Sequence, residues 1–587
     1  MDRRPESLVE RRNHCNNDRN MMMNTQVTGW GPRGRMVWGW LLLLSLLGLP
    51  ACADHSPVGA DRESQKAISS PLPSGNLRSV ASNGSPLGIN INGLRDWSTS
   101  YPLVDIFKSS RPFRSEKGGG VQLDDQGWVS SLAPGVDAVS PVLFDVDNQM
   151  QIKGDYVAVY EGQGKLDFSC AKVLSHDKSA RRVVFRVGGG GTCGLYLKIT
   201  QTDKNDPIRN IHILLPGGVC QKNLRQVVKG ASECEKDQYL SFADHFDTLV
   251  FNPDYLNYLD DFGVLRFMDA ANTNGSEVKT WDQRPKTDDA SWAKGWPIET
   301  MVALANAVQA DAWFTMPHQA DDDYIRHFAK YVQQHLDTGL KVYIEYSNEV
   351  WNGIFPQNRY AMEQGRQLAL DKNAYAAGWK FYSRRSLEVF KIWREVFHDS
   401  SRLVRVMATQ AENLGMTETL LKFEDAYKQT DVIAIAGYFG GEAGSKDAAK
   451  TVKMSKDQLI AEIKAHQLPK LAEIFKKNKR IADQYGVGLV AYEGGQHLVG
   501  VNQWVDDPSL EALFHAVNRD PRMAELYEQM YAAWKQAGGG VFLNYSGPGK
   551  YSKWGSWGMK EYLLQSMDKA PKYKASLKFI HQNSASQ

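Results

Sequence analysis

Two glutamates directly follow short apolar runs, and their positions suggest chemistry. The run KVYIEYSNE ends at Glu349, and the run GLVAYE ends at Glu493. A pair of carboxyl groups across a cleft is what cleavage of a glycosidic bond needs, because one protonates the leaving oxygen while the other attacks or activates water. The two runs therefore predict a two-carboxylate site, if the fold brings their ends together.

The elements that must position these side chains follow a repeating order. From about residue 235 onward, short apolar runs alternate with longer stretches of helical period, which predicts parallel β-structure built from βαβ units. Helices are predicted over 324–336, 375–397, 458–485 (interrupted near Pro469) and 523–534. Strands are predicted over 87–92, 263–268, 312–316, 341–346, 403–408, 432–436, 487–492 and 540–544.

Eight strands with helices between them predict an α/β fold of the (β/α)8, or TIM-barrel, class. Active sites of such barrels lie at the carboxyl ends of the strands. Glu349 follows strand four and Glu493 follows strand seven, so both are expected at one rim. Glu345 has the same strand parity as Glu349 but lies deeper, so we expect it to be a buried structural carboxylate.

A segment of different character separates the first two predicted strands. Alternating runs with Gly and Asp-Asn turns predict a β-sandwich-like domain inserted after strand one. It either binds glycan or forms a wall of the cleft. The predicted organisation is a leader over 1–52, a flexible tether over 53–85, the barrel over 86–114 and 233–580, and the inserted β-rich domain over 115–232.

The start of the chain predicts export. A 16-residue apolar run follows two arginines and ends just before Cys52, which fits a signal sequence with a lipobox-like end. We therefore expect lipid on Cys52 and anchoring to a bacterial membrane, at the outer membrane or cell surface. The alternative is a cleaved secretory signal with an incidental cysteine.

Four cysteines remain beyond the leader, and an even number in an exported chain suggests disulfides. Three pairings are possible, and proximity in sequence favours neighbours. The expected bridges are Cys170–Cys193 and Cys220–Cys234.

Composition excludes some classes of function. The chain is 42% apolar and 23% charged, as globular proteins are. Its net charge is +2, and the first 35 residues alone hold seven arginines against four acidic residues. The rest is close to neutral, so nucleic acid is not the expected partner. The chain lacks Cys-x-x-Cys and His-Glu-x-x-His motifs, and we expect a monomer without a metal or cofactor.

The glutamates also carry a family resemblance. Asn348 and Glu349 after strand four, and Glu493 after strand seven, resemble clan A of the glycoside hydrolases, with a likeness to family five. The string IEYSNEVWN at 344–352 resembles the clan's strand-four signature. The chain differs from family five at Val350, where that family usually has proline, and at Ala436, where it has histidine.

The resemblance implies a retaining enzyme and assigns roles. Glu493 is implied to be the nucleophile, Glu349 the acid and then the base, and Asn348 a ligand of the sugar 2-hydroxyl. Trp351 is a further candidate aromatic for binding sugar. The remaining implied substrate-binding residues are Arg266 and Tyr438 beside the nucleophile, Trp554 and Trp557 under the sugar, and His318 after strand three.

The expected function is that of a retaining glycoside hydrolase that cleaves β-linked polysaccharide, cellulose-like or an exopolysaccharide. One alternative is a non-catalytic lipoprotein that binds polysaccharide of this kind. Another is a transglycosylase that uses the same residues but passes the glycosyl group to a sugar.

Overall fold

The first barrel strand emerges from a short segment that covers the bottom of the barrel. The computed structural model describes residues 79–188, 193–398 and 400–584, and the predicted leader and Cys52 lie outside them. Strand β1 is Leu87–Asn90. Before it, the backbone N–H of Val541 donates to the carbonyl of Ser79 at 2.7 Å, and Ala81 packs into the barrel interior.

Antiparallel strands follow β1. They form two four-stranded sheets, a three-stranded sheet and a hairpin, which confirms β-rich structure between the first two barrel strands. The Phe168 and Phe185 rings stack at 4.5 Å between the two larger sheets. The strands are β2 Arg114–Ser115, β3 Val121–Leu123, β4 Val129–Leu132, β5 Ala138–Leu143, β6 Asp155–Glu161, β7 Gly164–Ser169, β8 Ala171–Asp177, β9 Arg182–Val187, β10 Leu195–Thr202, β11 Arg209–Leu214, β12 Gly218–Cys220, β13 Asn223–Val228 and β14 Tyr239–Ser241.

Seven further strands complete a closed parallel barrel with β1. Their order is sequential, and the last strand pairs with β1 in parallel, which confirms the predicted (β/α)8 class. The strands are β15 Val264–Arg266, β16 Asp311–Met316, β17 Val342–Tyr346, β18 Leu403–Ala408, β19 Val432–Phe439, β20 Gly488–Gln496 and β21 Phe542–Asn544.

Helices surround the barrel where the periodicity predicts them. A π-helical stretch, Ile463–Gln467, separates the helix Lys456–Glu462 from the helix Leu468–Tyr485, close to Pro469. The Asp321 carboxylate caps the amino end of the helix Asp322–His335, and Gly486 ends the helix Leu468–Tyr485 with a φ of 67°. The helices are α1 Phe242–His245, α2 Pro253–Leu259, α3 Ile298–Val308, α4 Asp322–His335, α5 Pro356–Gln367, α6 Ala374–Phe397, α7 Leu414–Lys422, α8 Ala448–Thr451, α9 Lys456–Glu462, α10 Leu468–Tyr485, α11 Pro508–Arg519, α12 Met523–Ala537 and α13 Pro571–Asn583.

Every second residue of the barrel strands fills the interior. This parity places large and β-branched side chains in one buried cluster. The cluster contains Val264, Trp313, Tyr343, Val404, Val432, Val490, Tyr492, Val541 and Leu543. The interior is therefore packed below the rim, and a substrate can approach only from the carboxyl ends of the strands.

Two disulfides join neighbouring cysteines, as predicted. Cys170 pairs with Cys193 and Cys220 pairs with Cys234, with Cα–Cα distances of 5.8 and 5.5 Å. Such bridges form in oxidising surroundings, so the chain belongs to an extracellular or periplasmic environment. Across the parts of the chain that are described, no helix has the length and hydropathy of a membrane span.

Candidate active site

Strand β17 ends in a tight turn that presents Glu349 at the rim. Ser347 and Glu349 have φ values of 59° and 40°, a left-handed conformation that costs energy for residues with a Cβ. Glu349 is half-buried. Its Oε1 accepts a hydrogen bond from the Tyr492 hydroxyl at 2.7 Å, and its Oε2 accepts one from Asn352 Nδ2 at 2.9 Å. These two donors fix the carboxyl from opposite oxygens.

A β-bulge in β20 positions Glu493. Ile435 pairs with Ala491, but Ala436 pairs with Glu493, so Tyr492 is the extra residue. Successive residues of a regular strand face opposite sides, whereas a bulge lets two neighbours face the same side. Tyr492 and Glu493 consequently both turn to the barrel interior. Glu493 is buried at 8% exposure.

Tyr438, on strand β19, and Arg266, on strand β15, both contact Glu493. The Tyr438 hydroxyl donates to Oε1 at 3.0 Å, and Arg266 Nη1 donates to Oε2 at 3.4 Å. Glu349 and Glu493 thus have separate sets of donors. The predicted neighbours of Glu493 lie next to it.

Arg266 is fully buried and shares its charge among several acceptors. Its guanidinium forms its shortest ion pair with Glu345, at 2.8 Å, and Trp313 Nε1 also donates to that carboxylate at 2.8 Å. Nη2 of Arg266 donates to Asn348 Oδ1 at 2.8 Å as well. Glu345 is 1% exposed, in keeping with a structural carboxylate under the rim. The guanidinium therefore holds the floor of the site together and reaches Glu493 by a longer contact.

The electrostatics of Glu493 combine opposing effects. Burial, and next the charge of Glu349, raise the pKa of Glu493 to about 8, while Arg266 and the Tyr438 hydroxyl act to lower it. Burial and the nearby Glu493 raise the pKa of Tyr438 well above its usual range, so its hydroxyl stays protonated as a donor. Glu493 therefore keeps its proton to a higher pH than an exposed glutamate does.

Asn348 is held by its neighbours at the base of the turn. Its Nδ2 donates to Asn274 Oδ1 at 3.0 Å, and Gln357 Nε2 donates both to Asn274 Oδ1 and to the Asn348 carbonyl. The side chain is 2% exposed, and its Nδ2 keeps a second hydrogen that this network does not use.

Trp557 joins the aromatic side chains beside Glu493. Its ring lies 6.0 Å from the Tyr438 ring and 5.0 Å from the His497 ring. Burial lowers the pKa of His497, which favours its neutral form. Trp554 is 51% exposed, and its carbonyl accepts a hydrogen bond from Trp557 Nε1. Of the two predicted tryptophans, Trp557 contacts a neighbour of Glu493.

Two other predicted residues lie on the Glu349 side or deeper. Trp351 packs against the rings of Tyr382 and Tyr492, at 6.1 and 6.4 Å. His318 is 3% exposed and packs against Tyr360, and burial lowers its pKa to about 4. The ring of His318 is therefore neutral at physiological pH.

Sequence reasoning missed Tyr492. Its hydroxyl contacts Glu349, although it precedes Glu493 in the chain. The only available signal was its position beside Glu493, and regular alternation would have put these two side chains on opposite faces. Within the described ranges, no cluster of three or more His, Cys, Asp or Glu side chains has the arrangement of a metal site.

The fold is a (β/α)8 barrel, and its candidate site holds two glutamates at the carboxyl rim. Glu493 is buried and Glu349 is half-buried.

No protein-family model matches the sequence, and no curated protein matches it. Solved structures with a similar barrel include a fungal β-1,4-galactanase, with 11% identity over 56% of this chain and 92% of that chain and a TM-score of 0.30.

Two further solved structures match in the same way. A GH5-4 broad-specificity endoglucanase from Clostridium longisporum has 12% identity over 56% of this chain and 85% of that chain, with a TM-score of 0.35. A 4-O-α-L-rhamnosyl-β-D-glucuronidase from Fusarium oxysporum 12S has 11% identity over 56% and 64%, with a TM-score of 0.35. The barrel assignment for this chain rests on its own strand order.

Proposed function

We propose that the protein is a retaining glycoside hydrolase that cleaves β-linked polysaccharide. The observation that carries the proposal is the placement of Glu349 and Glu493 at the ends of strands β17 and β20, each with its own hydrogen-bond donors. Two carboxyl groups in different environments are what general acid catalysis and nucleophilic attack require. The sequence resemblance to clan A supports the same roles.

In the first step, a carboxylate oxygen of Glu493 bonds to the anomeric carbon. The bond from that carbon to the glycosidic oxygen breaks, and Glu349 gives its proton to the leaving oxygen. The Tyr438 hydroxyl and the Arg266 guanidinium stabilise the negative charge of the Glu493 carboxylate. Asn348 Nδ2 offers its unused hydrogen to the sugar 2-hydroxyl, a contact that strengthens in the transition state.

In the second step, Glu349 takes a proton from water, and the water oxygen attacks the anomeric carbon. The ester bond to Glu493 breaks, so the product keeps the configuration of the substrate. If a sugar hydroxyl takes the place of water, the same residues perform transglycosylation.

The test is release of reducing ends from β-glucans, mannans, xylans and bacterial exopolysaccharides. Glu349→Gln and Glu493→Gln should each lose about a thousandfold or more of the activity, while the exposed control Glu418→Gln should keep it. Azide added to Glu493→Ala should yield the α-glycosyl azide, whereas azide added to Glu349→Ala should yield the β-azide. Binding without cleavage that both Gln variants leave unchanged would contradict the proposal and leave a polysaccharide-binding protein.

We also propose that the protein lies outside the cytoplasm and is held there by a lipid anchor. The disulfides support export. The anchor depends on Cys52 and on the apolar run before it. A polysaccharide is too large to cross a membrane, and an enzyme anchored on the outside of the membrane can reach it.

A further inference from the structure

A cavity of about 300 Å³ opens at the rim of the barrel. Its volume falls within the range of small-ligand pockets, about 300–1,000 Å³. Loops after β1, β15 and β21 form its walls, and Asn92, Trp97, Asp269 and Tyr545 are among the lining residues.

The cavity lies on the Glu493 side of the site. Trp557 lines it and contacts Tyr438, the donor to Glu493. The Tyr545 ring lies 5.7 Å from the Trp557 ring, and the charge of Asp269 acts on Glu493. Glu349 is not among the lining residues. Since Glu349 faces the leaving group in the proposed reaction, the cavity would hold the sugars on the other side of the scissile bond.

The cations that line the cavity are already engaged. Arg95 donates to the carbonyls of Leu94 and Ala293 and to Asn272 Oδ1. Lys550 donates to the Asp145 carbonyl and contacts the Asp147 carboxylate. A ligand carboxylate would have to displace these partners.

One hydrogen-bond acceptor, in contrast, remains open. Asp269 Oδ2 accepts from the Tyr545 hydroxyl at 2.9 Å, and its Oδ1 has no hydrogen-bond partner among the described residues. Asn92 Nδ2 donates to the Pro548 carbonyl. A carboxylate oxygen that lines a cavity without a donor favours a ligand rich in hydroxyl groups.

Trp97 offers a flat apolar surface at the same cavity. Its indole is 45% exposed, which is unusual for so large a ring, and the Arg111 guanidinium lies 5.5 Å from its centroid. Arg111 in turn pairs with the buried Asp96 at 2.9 Å, which fixes the support of the ring. An exposed and supported indole is suited to stacking on a sugar face.

We propose that this cavity is a binding site for uncharged sugar rings, with Asp269 accepting sugar hydroxyls and Trp97 stacking on a ring. Uronic acids are excluded, because a carboxylate would face the open Asp269 oxygen. The Lys550 contacts to Asp145 and Asp147 place the inserted β-rich segment next to the cavity. The position of the site on the non-leaving side rests on the proposed hydrolase function, but the sugar class does not.

The test measures binding by calorimetry in the full chain carrying Glu349→Gln, so that no ligand is cut. The probes are neutral cello-, manno-, xylo- and galacto-tetraoses, with each hexose probe matched by the same chain oxidised to the acid at C6. We expect at least one neutral probe to bind and its oxidised partner to bind at least tenfold more weakly. Adding Asp269→Asn or Trp97→Ala should weaken the neutral probe about tenfold, and Asp269→Asn should also shrink the preference over the acid.

Matched controls separate binding from folding. Asp483→Asn and Tyr375→Ala alter exposed residues on outer helices and should leave the affinity unchanged. Equal affinity for the neutral and oxidised probes, or no binding of any neutral probe, would overturn the site. If the neutral probes bind as expected while the reducing-end assay shows no cleavage, the hydrolase proposal fails and the sugar site stands.

Discussion

The two glutamates differ most clearly in their hydrogen-bond partners. Glu349 is held by Tyr492 and Asn352 and is half-buried, whereas Glu493 is buried and faces Tyr438 and Arg266. This asymmetry is what two different chemical roles need. Arg266 contributes less directly than the sequence implied, because Glu345 takes its shortest ion pair.

The raised pKa of Glu493 predicts a pH dependence. Burial, followed by the charge of Glu349, raises the pKa of Glu493 to about 8. Glu493 must be ionised to attack the anomeric carbon, so kcat/KM should rise as the pH rises through about 8. The measurement is kcat/KM between pH 4 and 10 on the best substrate. A kcat/KM that is already maximal at pH 5 would contradict this pKa of Glu493.

Tyr492 is predicted to position Glu349. Tyr492→Phe removes one hydrogen bond to the carboxyl and should lower kcat about tenfold on substrates with poor leaving groups. Dinitrophenyl glycosides need little acid assistance, so the rate of their first step should change much less. Tyr343→Phe is the matched control, because the Tyr343 hydroxyl is buried in the barrel and has no hydrogen-bond partner among the residues that the structure describes. Equal losses on both substrate types would indicate a general structural role.

Among the strands and loops, irregular features serve the site. The bulge between β19 and β20 turns Glu493 inward, and the left-handed turn after β17 presents Glu349. The regular barrel below them is filled by side chains and keeps both irregular segments in place. Two disulfides cross-link the inserted segment internally. Asp145 of this segment forms an ion pair with Lys550 at the rim of the barrel.

The second disulfide is predicted to stabilise the inserted strands without serving the reaction. It closes a short loop, because Cys234 lies 14 positions after Cys220. Replacing both cysteines by serine should lower the free energy of unfolding of this segment by about 2–3 kcal/mol. The measurement is thermal unfolding of the variant and the wild type without reductant, so that both keep the Cys170–Cys193 bridge. Activity at 25 °C should stay within about twofold, and a large loss would place this sheet in the site.

In the whole molecule, the barrel carries the candidate site and the inserted segment lies next to it. Asp145 and Asp147 of that segment contact Lys550, which lines the cavity. Residues 79–85 belong to the predicted tether, yet several of them bond to the bottom of the barrel, opposite the site.

Loss of the lipid site is predicted to release the protein. Cys52→Ala should move it from the membrane fraction to the soluble fraction and abolish labelling by a palmitate analogue. Cys15→Ala, a cysteine in the predicted leader, is the control and should leave both unchanged. Membrane retention of Cys52→Ala would favour another mode of attachment, and hydrolysis in the soluble form should be unaffected.

Sequence alone determined the strand order, the inserted β-structure and the two glutamates at strand ends, and it favoured the disulfide pairs without fixing them. Hydrophobic periodicity and the alternation of strands with helices are local properties, so the chain displays them directly. The closed order of eight strands then brings residues 349 and 493 to one rim.

Only the tertiary structure decided which side chains of the site contact one another. Regular alternation puts Tyr492 and Glu493 on opposite faces, but the bulge against β19 turns both inward and lets Tyr492 reach Glu349. The division of Arg266 between Glu345 and Glu493, and the position of Asp269 beside Trp97 in the cavity, also arise from segments far apart in the chain. Such contacts depend on three-dimensional packing, because no local pattern encodes which distant side chain supplies the partner.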